Sequence, residues 1–210
     1  SLFGVFLNAL SGTYAYVKQH RVYFKAAIPF AIATLPGAIL GSLVSDYFTG
    51  PTFSLSYGIF ILIISAIMYW NSSNKKAIAT NFDETLFITR KKLGIILSMF
   101  VGFISSIFGI GGGIIHVPVM IYALAFPPHM ATATSHFVLA VSSFMGVTSH
   151  IFLNHIVWIP ALAVGFGAVI GAQIGARLSK KTKPRSIILL LCISLFLLGI
   201  RMIVESNLLF

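Results

Sequence analysis

The chain has 210 residues, 58% hydrophobic and 9% charged, with mean hydropathy +0.98 and net charge +10. Such a composition excludes a soluble globular domain, and runs of about 20 apolar residues, enough for ~30 Å of hydrocarbon, recur along it. The basic excess is no nucleic-acid signal: 13 of the 14 Lys and Arg residues fall in three short segments between apolar runs, the pattern of cytoplasmic loops.

Taken in order, the apolar runs predict helices near 1–17, 26–46, 54–70, 92–108, 114–125, 131–152, 157–177 and 186–204. The runs are continuously apolar instead of alternating, which excludes a β-barrel. The predicted fold is therefore an all-α integral membrane protein, a polytopic helical bundle. Ser1 opens straight into an apolar run with no charged leader, so no cleavable signal peptide is read there. The lone cysteine, Cys192, lies inside a span and reads as a small buried hydrophobe, with no disulfide framework. Residues 71–91 form the one long hydrophilic stretch and read as a cytoplasmic linker between a first half, 1–70, and a second, 92–210. The Asn71-Ser72-Ser73 sequon carries no meaning on that side.

The halves resemble each other at an offset of 134: Ser1 falls on Ser135, Phe3 on Phe137, Gly12 on Gly146, Gly37 on Gly171, Ala38 on Ala172, Gly41 on Gly175 and Ser45 on Ser179. Most of these are small residues that let helix backbones approach. The basic loop 18–25 matches 152–159, which has no Lys or Arg, and the non-basic loop at Asp46 matches the basic 177–185. Matching elements therefore face opposite sides, an inverted repeat of the kind many secondary transporters use. Residues 92–134 have no counterpart in the first half, so a symmetric protein would carry ~40 further residues ahead of Ser1.

The tract 109–118 runs Gly-Ile-Gly-Gly-Gly-Ile-Ile-His-Val-Pro. Each glycine costs a helix about 1 kcal/mol against alanine, and broken backbone at membrane depth survives only where protein buries it or it lines a watery cavity. A half-helix starting near Gly111 would aim unpaired N–H groups and its positive dipole end into such a cavity, an anion site. No Lys-Ser/Thr follows the glycines, so a Walker-type phosphate loop is excluded, and no ATP motif appears elsewhere.

Just downstream, Ala131-Thr132-Ala133-Thr134-Ser135-His136 leads into a span where Ser135, Ser142, Gly146 and Ser149 share one face. Ser1, Asn8 and Gly12 form the matching face in the first half. Interhelical hydrogen bonding alone would account for either face; their pairing with the glycine break points to a substrate pathway. Of six histidines, His20, His129 and His155 lie at loops, whereas His116, His136 and His150 lie within apolar segments, where an ionisable group is a functional candidate. They could bond an anion, carry a proton or hold a transition metal. Asp46, Asp83, Glu84 and Glu205 all sit at span ends or in the linker, which argues against a carboxylate relay or a hard-cation site.

The run Gly-Ile-Gly-Gly-Gly-x-x-x-Val-Pro at 109–118, with Phe126-Pro127-Pro128-His129-x-Ala131-Thr132-Ala133-Thr134-Ser135, resembles the sulfite exporter TauE/SafE family of membrane permeases. The resemblance implies movement of sulfite, sulfoacetate and related sulfur-containing anions across the bacterial inner membrane. It also implies substrate contacts at Gly109, Gly111, Gly112, Gly113, Pro118, Thr134 and Ser135, with Ser1 as the surviving first-half partner. His116, His136, Ser142 and Asn8 complete the candidate set from the reading of the residues themselves. The expectation is a non-enzymatic secondary transporter working in the direction of export, with no cofactor. Its expected partners are a small anion and anionic lipids at the basic loops, with no nucleic acid; the small-residue faces are also compatible with a homo-oligomer. The alternative is a transition-metal permease using His116, His136 and His150. A metal- or haem-holding membrane enzyme fits less well, since no His-x-x-x-His lies inside a span.

Overall fold

Backbone groups in hydrocarbon must bond within their own segment, and every apolar run accordingly closes into a helix. The computed structural model describes residues 2–45, 51–73, 82–108, 112–152 and 158–208. Eight α-helices follow in order among them: α1 (Leu2–Lys18), α2 (Phe24–Ser45), α3 (Pro51–Ser73), α4 (Glu84–Phe108), α5 (Gly113–Pro118), α6 (Pro128–Phe152), α7 (Trp158–Lys181) and α8 (Pro184–Leu208). There is no strand among the described residues. Four helices, α2, α3, α7 and α8, are long and apolar enough to cross a membrane by length and composition. The protein is a multi-pass helical membrane protein.

Small residues set the closest contacts. α2 and α4 run parallel, and a Cβ added to Gly37 or Gly41 would collide with the carbonyls of Met99 and Phe103, while one on Gly102 would strike Thr34. α3 and α8 run antiparallel through Gly58 and Gly199, with Ser65 Oγ donating to the Cys192 carbonyl at 2.9 Å. α1 lies along α7, where Gln173 Nε2 donates to the Ser11 carbonyl at 2.8 Å, and against α6. Displaced by 134 residues, α2 and α3 coincide with α7 and α8 to within two residues at each end.

The basic segments gather at one end of the bundle. Arg21 Nη1 donates to Ser179 Oγ at 3.3 Å, joining the α1–α2 turn to the end of α7. Lys25 Nζ stands 2.7 Å from Glu84 Oε1, to which Tyr23 Oη also donates at 2.9 Å, joining α2 to the start of α4. Beside them Tyr23, Phe82, Phe87 and Phe126 form an aromatic cluster with ring centroids 4.7–6.2 Å apart.

Two boundaries differ from the sequence expectation. α4 begins at Glu84, not near 92, because Asp83 caps it: its carboxylate accepts from the Thr85 and Leu86 N–H groups at 2.9 and 3.1 Å. The short helix expected at 114–125 is α5 followed by a π turn, Val119–Ala123. Pro118, at the junction, has no N–H to donate, which frees the ladder to widen there. The turn onward bends through Ala125 at φ 55°, and Pro128 is the first residue of α6, where its missing N–H costs nothing.

Candidate functional site

The glycine break separates α4 from α5, which doubles back along it. Arg90 Nη1 donates to the Ala123 carbonyl at 2.9 Å, Gly94 lies beside Leu124, Ser98 meets His116, and Ser105 lies beside Gly112. The four contacts trace an antiparallel hairpin that closes between Phe108 and Gly112. Arg90 puts a guanidinium on the carbonyl end of the returning segment, where the helix dipole favours a cation. Gly109, Ile110 and Gly111 lie outside the described residues.

Gly112 occupies the cap position of α5 and offers no side chain to the first N–H groups of the helix. His116 N–H bonds the Gly112 carbonyl at 2.9 Å. The N–H groups of Gly113, Ile114 and Ile115 therefore precede the first intrahelical acceptor, as at any helix start. Around this terminus stand two serine hydroxyls among apolar side chains. Ser135 Oγ of α6 reaches the Gly113 carbonyl at 3.5 Å, and a Cβ on Gly113 would lie 3.2 Å from Leu139. A Cβ on Gly112 would lie 3.4 Å from Ser105 Oγ, a buried hydroxyl with no hydrogen-bond partner. No Asp or Glu lies within the described parts of α2, α5, α6 or α7. The terminus, half-buried at Gly112 and Gly113, is thus donor-rich, with no opposing carboxylate among the described residues.

The two central histidines face different neighbours. His116 is 1% exposed, edge-on to Phe30 of α2, with Nε2 2.9 Å from Ser98 Oγ. Ser98 gives its single proton to the Gly94 carbonyl at 2.7 Å, so Nε2 is the donor of the pair and Nδ1 is left with a lone pair and no partner. His136 Nδ1 donates to the Thr132 carbonyl at 3.1 Å, and the ring stacks edge-on to Tyr16 at 5.3 Å. Gly12 makes room for it, since a Cβ there would lie 2.7 Å from the imidazole Cδ2. In their neutral forms both rings commit their N–H groups to the protein.

The sequence of residues 1–202 matches the family described as sulfite exporter TauE/SafE. The chain belongs to that family. Among its relatives, the probable membrane transporter protein YunE of Bacillus subtilis is 35% identical over 98% of this chain and 80% of its own length. A probable membrane transporter protein of Methanocaldococcus jannaschii is 28% identical over 97% of this chain and 77% of its own. One from Xylella fastidiosa is 27% identical over 86% and 68%. No solved structure matches. The protein is a membrane transporter of the TauE/SafE family.

The TauE/SafE motif residues fall into distinct places. Gly112, Gly113 and Ser135 come together at the hairpin tip. Thr134 does not share that contact: its Oγ1 accepts the Tyr23 N–H at 3.2 Å and ties α6 to the start of α2. Pro118 is buried at the junction with the π turn. Ser142 bonds its own helix, donating to the Leu139 carbonyl at 3.2 Å, and Asn8 is half-buried on α1. Ser1 and His155 lie outside the described residues, as does the side chain of His150. Among the described residues no three His, Cys, Asp or Glu side chains come together. Ser98, Ser105 and Arg90 were not singled out in the sequence. The seven-residue spacing of Ser98 and Ser105, two turns on one face, is the signal that could have found the first two.

Proposed function

We propose that this protein is a secondary transporter that exports a small sulfur-containing anion, sulfite or an organosulfonate, across the bacterial cytoplasmic membrane. The observation that carries the reading is the hairpin tip. A helix starts at Gly113 with its first N–H groups ahead of any intrahelical acceptor, beside Ser105 and Ser135, and among the described residues no acidic side chain is set against it. Such a terminus favours an anion through both donors and dipole. Hydroxyl donors suit the tetrahedral or pyramidal oxygen arrays of sulfur anions. The histidines would donate to an anion only after taking up a proton, so they are coupling groups in this reading.

The matching lengths of α2 and α7 and of α3 and α8 support two inverted repeats, 1–70 and 92–210 joined by 71–91, rocking about the tip to alternate access. The basic end is then cytoplasmic. The test is solute-driven charge movement in sealed proteoliposomes holding the gene product, with sulfite, sulfoacetate, thiosulfate, chloride and nickel added in turn. Currents with sulfur anions that vanish in Gly112→Leu are expected. A response to nickel with silence toward the anions would overturn the anion site.

A further inference from the structure

His116 Nδ1 is a buried basic atom to which the fold gives no partner. The residue is 1% exposed, its Nε2–H is taken by Ser98, and Nδ1 makes no hydrogen bond. Most buried polar side-chain atoms are paired, so an orphan at this depth needs a reason. Its neighbours offer no charge. α2 presents Phe30 to the ring, and Lys25, at the start of that helix, is held by Glu84. On α4, Arg90 lies two turns from Ser98 and is committed to the Ala123 carbonyl. Tyr122 of the π turn donates to the Met68 carbonyl. On α6, His136 is turned to Thr132 and Tyr16, and His129 stands two turns before it. A proton on Nδ1 therefore finds neither acceptor nor counter-charge among the described residues, and a buried charge left alone is strongly unfavourable.

The charge that can answer it is the transported anion. Gly112 and His116 are four residues apart on one face, joined by the bond from the His116 N–H to the Gly112 carbonyl. Both look onto α4, Gly112 at Ser105 and His116 at Ser98. Side-chain positions so spaced on a helix lie about 5–6 Å apart. One seam between α4 and α5 thus holds two orphaned polar atoms, the hydroxyl of Ser105, 6% exposed, and His116 Nδ1 one turn on. An anion beside Ser105 stabilises a proton on Nδ1, and by linkage that proton tightens the anion by the same factor. We propose that His116 Nδ1 is a proton site filled together with the anion, so that each anion crosses the membrane with one proton. The proton is taken from water on the loading side and returned to water on the other. This assignment rests on the anion reading above. A dianion then moves with a single net charge, so an inside-negative potential still drives export.

The experiment uses sealed proteoliposomes of the full gene product, with radiolabelled thiosulfate or sulfoacetate, dianions that hold no proton at neutral pH. Isotope flux and current are measured together at a clamped potential, and a pH dye follows proton movement. Wild type is expected to carry one net charge and one proton per dianion. His116→Gln keeps a donor for Ser98 but has no titratable atom, and should carry two charges and no proton. His136→Gln should keep the wild-type ratio. Solid-state NMR of wild type with labelled imidazole nitrogens needs no variant: a ring in the Nε2–H form should gain a proton at Nδ1 when the dianion is added. Two charges per dianion in wild type, an unchanged ratio in His116→Gln, a shift in His136→Gln instead, or no newly protonated ring would each overturn the proposal and leave the anion reading standing. So would absence of flux for both dianions; absence of flux for sulfite as well would overturn the anion reading too.

Discussion

Ser98 and Ser105 lie two turns apart on α4, yet they play opposite parts. Ser98 accepts the only N–H of a buried imidazole, and removing it strands that donor. Stranding a buried polar group costs about 1–3 kcal/mol. Ser98→Ala should therefore lower the unfolding midpoint of purified protein, by the amount such a loss implies. Ser105 has no partner to lose, so Ser105→Ala should leave thermal stability unchanged or raise it slightly. Under the anion reading it should still weaken substrate affinity in proteoliposomes. Stability retained with affinity lost marks a hydroxyl kept for a ligand; unchanged transport would reduce Ser105 to a packing residue.

At the scale of helices, backbone proximity outweighs the polar contacts. Ser65 to Cys192 is a buried interhelical bond, but such bonds in membranes average about 0.6 kcal/mol. Gly37→Leu would drive a side chain into the Met99 carbonyl, and overpacking of that kind costs about 1–3 kcal/mol or more. Ser65→Ala should thus barely shift the melting curve, whereas Gly37→Leu should deplete folded protein, as read by size-exclusion recovery after detergent extraction. Helix positions were legible in the sequence because apolar length leaves the chain no alternative to a helix. The glycine break was legible because four glycines in five residues admit no helix. The π turn was not, since it depends on one missing N–H at Pro118 and on Arg90 arriving from 33 residues away to hold the Ala123 carbonyl. Hydropathy likewise placed His116 in a span but could not show that it turns toward Ser98 and Phe30.

For the molecule as a whole, the basic end is latched by few acids. Hydrogen bonds from Lys25 and then Tyr23 hold the Glu84 carboxyl below the usual carboxylate range. A depressed carboxyl stabilises the folded state above its unfolded pKa, about 4.3, and loses that effect as pH falls through the lower folded value. The stability difference between wild type and Glu84→Gln should accordingly be present at pH 7 and vanish under strongly acidic conditions, by melting curves across that range. Arg21 joins the end of α7 at the same end, and residues 82–92 and 177–185 carry eight Lys and Arg residues against two acids, Asp83 and Glu84. A mouth so charged acts as a collector. It holds a cloud of counter-ions within a Debye length, about 8 Å at physiological salt, and raises capture rates for negative solutes. Raising ionic strength on that side alone should slow loading at low substrate, while the same salt on the far side leaves release untouched. Transport would then be rectified by diffusion, before any helix moves.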